Sequence, residues 1–321
     1  MSKRNRNFFF LLILAFLFLN ACHTEEGAEV RLSTFQCDVT PPLGTPIYSA
    51  YEPLAVIEHP LLAKGIVIEE SGQRYVLCAL DWCEICNATH TLFRETLAEA
   101  AGTDAGHVAV QTVHQHTAPM GDADAMRLLD TIENPPPHPD PEVIEKAVKN
   151  VAEALRNSLA GMQVVDSIGT GQARVVEVAA TRRVKDDDGK IVPRWSSCTD
   201  PELRARPEGL IDPYLKTLTF ARGDRPLVRL HYYTTHPQSF YGDPRASYDF
   251  PGMARQELEQ EEGIFQIYFT GCAGDITAGK YNDGSPELAT GWRPGFWMVC
   301  RSPSRLPGMN RFSSSAGKPF L

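Results

Sequence analysis

The chain has 321 residues, 43% of them apolar, with 40 acidic and 31 basic side chains and a formal charge of −9. That length allows one large domain or two small ones, and the apolar share supports a substantial core. The acidic balance argues against nucleic-acid binding, which normally needs a basic face.

Lys3, Arg4 and Arg6 precede an unbroken apolar run from Phe8 to Leu19. The run is shorter than the about 20 residues that span a bilayer, so it reads as an export signal. Leu19-Asn20-Ala21-Cys22 has the form of a bacterial lipobox: residues 1–21 would be removed, Cys22 acylated, and residues 22–29 left as a tether. Such an anchor holds a protein to a membrane surface, periplasmic or at the cell exterior, without spanning it. An ordinary cleaved signal with a chance cysteine is the alternative. With Cys22 committed, the remaining cysteines of the eight are odd in number and form no convincing disulfide framework. Cys83-x-x-Cys86 reads as packed or incidental thiols rather than as a redox-active pair or half of a zinc knuckle.

Arg31 to Val39 reads as a strand leading into a Pro41-Pro42-Leu43-Gly44 turn. The runs Gly65–Glu69 and Tyr75–Leu80, separated by Ser71-Gly72, predict a hairpin. Asn87 is placed to cap a helix to about Ala101, with Leu92, Leu97 and Ala101 on its apolar face. His107 to Val113 predicts a strand, and the prolines from Pro135 to Pro141 a loop. Glu142 to Leu159 has helical spacing through Val143, Ala147, Val151, Ala154 and Leu155. Thr170 to Ala180 is a strand candidate, followed by a hydrophilic excursion from Arg182 to Pro213. Leu215–Phe220 and Leu227–Thr234 flank Gly223-Asp224 as a second hairpin, followed by a helix over Met253–Glu262 and a strand over Phe265–Phe269. Strands and helices alternate but hairpins interrupt them, which predicts a layered α/β domain with mixed β-sheets flanked by helices.

Thr112 to Pro119 reads Thr-Val-His-Gln-His-Thr-Ala-Pro at the end of a predicted strand. Residues two apart on a strand share a face, so His114 and His116 project together. Imidazole is a common ligand of catalytic zinc, and a solvated histidine pair is the bland alternative. Thr235-His236-Pro237 puts a third histidine at a strand end, with Asp249 beyond it as a functional carboxylate or a helix cap. Phe269 to Gly279 is a strand running into small residues, which allow close backbone approach or expose amides to an anion; a tight turn with Asp275 bonded to its own backbone explains it equally. All three loops follow strands, so they are expected to meet.

These segments resemble the N-terminal catalytic domain of the neutral (non-lysosomal) ceramidase family. The resemblance rests on Asp38–Gly44, on Asp81 closing a strand, and on Val113–Pro119. It continues through the arginine pair in Ala179–Arg183, through His236–Gly252, and through Gly271–Gly279. Together these cover roughly residues 30 to 286, in order. The resemblance implies a zinc-dependent hydrolase of an amide bond, with a water activated by the metal attacking the carbonyl of N-acyl-sphingosine or another N-acylated compound. It maps the metal onto His114 and His236 and proton or oxyanion chemistry onto His116. Asp275 falls in the family's Gly-Asp loop and is a further candidate catalytic residue. Thr277 stands where the family has a serine, and its added methyl puts a nucleophilic role in doubt. Arg182 or Arg183 would hold a polar substrate group, with Arg183 the named candidate; a solvated arginine pair is the alternative. A metallohydrolase of another amide or ester, and a ligand-binding surface lipoprotein without turnover, are the competing functions.

The resemblance implies that residues 30–290 form such a catalytic domain, incomplete. After about Glu287 neither helical nor strand periodicity persists, and Trp292, Trp297 and Cys300 lie among prolines, glycines and serines. An irregular tail over residues 291–321, from a frameshift or truncation, is the expectation, and a genuinely divergent tail is the alternative. The family's remaining zinc ligands, a glutamate and a tyrosine, are not recognisable, so the chain is expected to bind zinc poorly and to show little activity.

Overall fold

The computed structural model describes residues 29–48, 52–240, 242 and 244–285, and the backbone of 310–311. The signal sequence, Cys22 and nearly all of the tail lie outside the described residues. Among the described residues, no helix is long and apolar enough to cross a membrane.

The architecture is layered α/β with mixed sheets. The first sheet contains β1 (Val30–Asp38), β2 (Leu62–Glu70), β3 (Gln73–Leu80), β4 (Val108–Thr112) and β5 (Gln163–Val165), in the order β4-β3-β2-β1-β5. Only β3 and β4 run parallel; the other pairs are antiparallel. The β2–β3 hairpin closes through Ser71 and Gly72, both at positive φ (51° and 82°), as a two-residue turn that matches strand twist requires. Gly65 faces Phe35 across the β1–β2 register, and a Cβ there would lie 2.2 Å from the Phe35 ring.

Helices α1 (Asn87–Ala101) and α3 (Pro141–Ser158) cover one face of this sheet. Between them in the chain lies the short α2 (Ala123–Leu129). The core beneath α1 and α3 joins Phe35, Val67, Val76 and Leu80 to Phe93, Leu97, Val148 and Val151. Two expectations shift here. Leu92 is 37% exposed and Phe93 takes the inward position, so the buried stripe of α1 runs Thr89-Phe93-Leu97-Ala101. Asn87 opens α1 at φ 47° rather than capping it, and its amide donates to Asp122. In α3 the stripe is Ile144, Ala147, Val148, Val151 and Leu155, with the Asp140 carboxylate accepting the Glu142 amide at the N-cap and Pro141 in the first turn.

The second sheet runs β9 (Phe265–Thr270), β8 (Arg225–Tyr233), β7 (Tyr214–Arg222), β6 (Ser167–Arg174) and, at its edge, Asn310–Arg311 against Ile168 and Ser167. That last pairing gives two residues of the tail, expected to be irregular, a place in a sheet. The short α4 (Pro201–Ala205) interrupts the 182–213 excursion. Helix α5 (Asp249–Glu262) crosses from β8 to the parallel β9. A second core lies between the sheets: Leu32, Ile66, Ile68 and Ala79 meet Leu215, Val228, Leu230 and Ile267, with Phe250, Ala254 and Leu258 from α5. Buried charge ties α5 to the first sheet. Arg255 donates twice to Asp81, at 2.9 and 2.7 Å, and Lys64 reaches Glu259 at 2.7 Å.

Candidate metal centre

β4 carries the first histidine loop out of the sheet. Past its end, Val113 N donates to Leu80 O (2.8 Å) and His114 N to Trp82 O (3.0 Å), so the loop still follows β3 for two residues. Gln111 Nε2 and Thr270 Oγ1 clamp this end of β4 to the end of β9. The chain then turns sharply, with His114 at φ 70°. Residues with side chains hold that conformation only where their surroundings impose it, and such residues cluster at functional sites. His236 leaves the end of β8, and its N–H donates to Ile276 O at 3.0 Å, which joins the second and third loops. Open α/β sheets build their sites beyond strand ends in this way.

The three rings converge. Centroids lie 5.1 Å apart for His114 and His116, 5.0 Å for His114 and His236, and 5.7 Å for His116 and His236. His114 Nδ1 lies 2.7 Å from Cys83 O, and His236 Nδ1 lies 3.0 Å from Ile276 O. A carbonyl only accepts, so each Nδ1 carries the proton and each Nε2 is left as the lone-pair nitrogen. That is the tautomer and anchoring found for metal-ligating histidines. His116 packs its ring edge-to-face on Tyr48, with centroids 4.8 Å apart. Burial, with His114, His236 and Arg182 beside it, pushes the His116 pKa down to about 3, so the ring is neutral at physiological pH. Burial also lowers His236, opposed by its bond to Ile276 O.

Cys83, His114 and His116 form a group able to hold a metal ion, their ligand atoms lying within 4.8 Å of one another. Cys83 is fully buried, and without a metal ion burial, with Glu84 nearby, raises its pKa well above the ordinary thiol value; a coordinated metal would deprotonate it. Its Sγ also sits 3.8 Å from His114 Nδ1, the nitrogen already given to a carbonyl. The Nε2 atoms of His114 and His236 are the lone-pair nitrogens beside this group. Arg182 Nη2 points at His236 Nε2 from 3.3 Å, so a metal on that nitrogen displaces this bond.

The other sequence candidates are placed as follows. Arg183 is exposed and donates to Asp275 Oδ1 at 2.7 Å; it is its neighbour Arg182 that faces the histidines. Asp275 also accepts from Thr181 Oγ1, and its main-chain carbonyl takes Arg182 N at 2.8 Å, so this residue holds the arginine segment in place. Thr277 is buried, with its hydroxyl toward the carbonyls of Arg194 and Trp195 at 3.4 and 3.5 Å. Asp249, at φ 52°, accepts from Ser239 N and Phe250 N, tying the loop after His236 to the start of α5. Gly279 shows what its loop's small residues are for: a Cβ would lie 1.6 Å from Trp195 O, so chain approaches chain there. The sequence left Arg182 and Arg183 as alternatives, and the structure turns Arg182 to the histidines; the nearness of Cys83 was not expected. The signal for Cys83 was its place just past β3, whose parallel neighbour β4 delivers His114.

No protein-family model and no curated protein matches this chain. Among solved structures, neutral ceramidase from Pseudomonas aeruginosa is similar, with a TM-score of 0.64 and 17% identity over 88% of this chain and 46% of that one. A ceramidase complexed with C2 gives a TM-score of 0.62 and 17% identity over 87% and 45%. The chain thus spans less than half the length of these structures, and at that identity what it shares with them is the fold.

Proposed function

We propose that this chain carries the histidine site of a metal-dependent, ceramidase-like amidohydrolase of N-acyl-sphingosine or another N-acylated compound, and that with two histidine ligands it binds zinc weakly and turns over slowly. The observation that carries this reading is the triangle of His114, His116 and His236, two of them pinned at Nδ1 by main-chain carbonyls, on a ceramidase-like fold. The metal, zinc in this reading, is held by His114 and His236; when bound it polarises a carbonyl and lowers the pKa of water. His116 stands beside the reacting carbonyl in this reading and acts on a proton or on the developing oxyanion; its burial, which keeps the ring neutral, favours the second role. Arg182 carries a fixed positive charge against the same cluster and stabilises the oxyanion as it develops. Asp275 acts on Arg182 as a positioning residue. An acylated Cys22 would hold the enzyme at the surface where lipid substrates lie. Intact-mass measurement of exported protein tests that part, and a mature N-terminus elsewhere without lipid overturns it.

Zinc content and hydrolysis of a fluorescent N-acyl-sphingosine test the central reading. His114→Ala and His236→Ala are expected to lower zinc affinity by at least about tenfold each, since catalytic zinc sites use few protein ligands. Zinc retained unchanged in the double variant refutes the site. Turnover of simple esters or other amides alone redirects the reading to another metallohydrolase, and ligand binding without turnover to a binding protein.

A further inference from the structure

Cys83 is built into the histidine loop from both sides. Its N–H donates to Pro119 O at 3.0 Å, its carbonyl faces His114 Nδ1 at 2.7 Å, and the preceding carbonyl, of Trp82, takes His114 N. The thiol therefore rides on the same main chain that fixes the ring, and its Sγ lies 3.8 Å from His114 Nδ1. The His116 ring stands 5.1 Å from the His114 ring, and ligand atoms of the three residues fall within 4.8 Å of one another; His236 is not part of this group. A tetrahedral ion with bonds of about 2.3 Å to sulfur and about 2.0–2.1 Å to nitrogen holds two such ligands roughly 3.5 Å apart. The Sγ–Nδ1 pair is already close to that spacing, and a larger ion fits it with less adjustment.

We infer that His114 belongs to two mutually exclusive metal sets: through Nε2 with His236, and through Nδ1 with Cys83 and His116, the second set taking a soft, thiophilic cation such as Cd2+ or Cu+. A neutral imidazole offers one lone-pair nitrogen at a time. An ion on Nδ1 replaces the bond to Cys83 O, and the ring proton moves to Nε2, which then has no lone pair for the other set. The Cys83 thiol gives its proton to solvent and coordinates as thiolate. Sulfur is the soft ligand here and the His114–His236 set has none, so softness sorts the ions between the two. The His114 ring is only partly buried, which gives an ion a way in. The thiolate set stands on this geometry alone; its effect on turnover rests on the proposed amidase, which uses the same rings.

The purified full chain, carrying Cys272→Ser to remove the exposed thiol, is titrated with Cd2+ and with Zn2+. Cadmium is expected to give a thiolate-to-metal charge-transfer band in the ultraviolet. Cys83→Ser should remove that band and lower cadmium affinity by at least about tenfold, with a smaller loss for zinc. His236→Ala should keep the band, and so should Cys86→Ser, whose thiol donates to Glu84. The cadmium NMR shift of the chain with Cys83 intact separates thiolate from purely nitrogen ligation, so the test survives a serine variant that fails to fold. Cadmium loading should abolish hydrolysis of an N-acyl substrate, and chelation followed by zinc should restore it. A Cys83-dependent band in a chain that hydrolyses nothing in any form supports the thiolate set and refutes the amidase. The inference is overturned by a band that is absent, survives Cys83→Ser or is lost in His236→Ala. Equal losses of zinc and cadmium in Cys83→Ser, or undiminished turnover with cadmium bound, overturn it as well.

Discussion

Gln115 sits between the two histidines of its loop, fully buried, and neither atom of its amide has a hydrogen-bond partner among the described residues. A buried amide without partners costs about 1–3 kcal/mol. Gln115→Met keeps the shape and removes the polar atoms, and is expected to stabilise the protein by about that amount in urea denaturation. A loss of stability would mean instead that the amide is satisfied by an internal water. A second residue-scale expectation concerns Arg182. Arg182→Ala should lower kcat by about a hundredfold on an amide substrate, the typical cost of one oxyanion donor, with little change in KM. Arg183→Ala should cost less, because Arg183 reaches the cluster only through Asp275. Equal losses in both, on kcat and KM alike, would count against a role for Arg182 in the transition state. The choice between these two arginines was not legible in the sequence. Adjacent residues on extended chain point opposite ways, and only the anchoring by Asp275 decides which one faces inward.

Helix α5 is held to the first sheet by charge as well as by apolar packing. Asp81 and Arg255 are both buried and bonded in bidentate geometry, and Asp81 Oδ2 also takes Leu62 N at 2.9 Å. Burial pushes Lys64 down to about 8, against the pull of Glu259. Removing one partner of such a pair leaves an uncompensated charge, so Arg255→Met is expected to cost about 3–5 kcal/mol by urea denaturation. Adding Asp81→Asn should recover part of that loss. A cost below about 1 kcal/mol would show that the pair contributes little. This pair explains why the sequence places an aspartate at the end of β3: the residue joins two elements rather than serving the reaction. The hairpins were legible because Ser71-Gly72 and Gly223-Asp224 are turn residues between apolar runs. The face of α1 was misjudged because Leu92 and Phe93 are adjacent and apolar, and the position of the sheet decides which one is buried.

At the scale of the molecule, the buried histidine of the second sheet makes stability depend on pH. His231 is held between Thr217 Oγ1 and Gln266 Oε1, each at 2.8 Å. Burial pushes its pKa down to about 4; the bond to Gln266 opposes this and Arg229 adds to it. Unfolded, the ring titrates near 6.5. Above that pH neither state binds the proton. As pH falls from about 6.5 through 4 the unfolded state binds it and the folded state does not, so stability is lost across that window, by up to about 3 kcal/mol. His231→Gln should flatten the decline in urea midpoint between pH 7 and 4.5; an unchanged slope would show that other groups set it. By itself the sequence determined the layered α/β class, most of the strands and helices, and the three loops that carry His114, His116, His236 and Asp275, because periodicity and turn chemistry are local. Tertiary structure alone decided the rest. It turned His114 through a positive φ, gave two imidazoles main-chain carbonyls that fix their tautomers, brought Cys83 beneath them, and set the Tyr48 ring against His116. Those contacts join residues far apart in the chain, and no local pattern encodes their distance or direction.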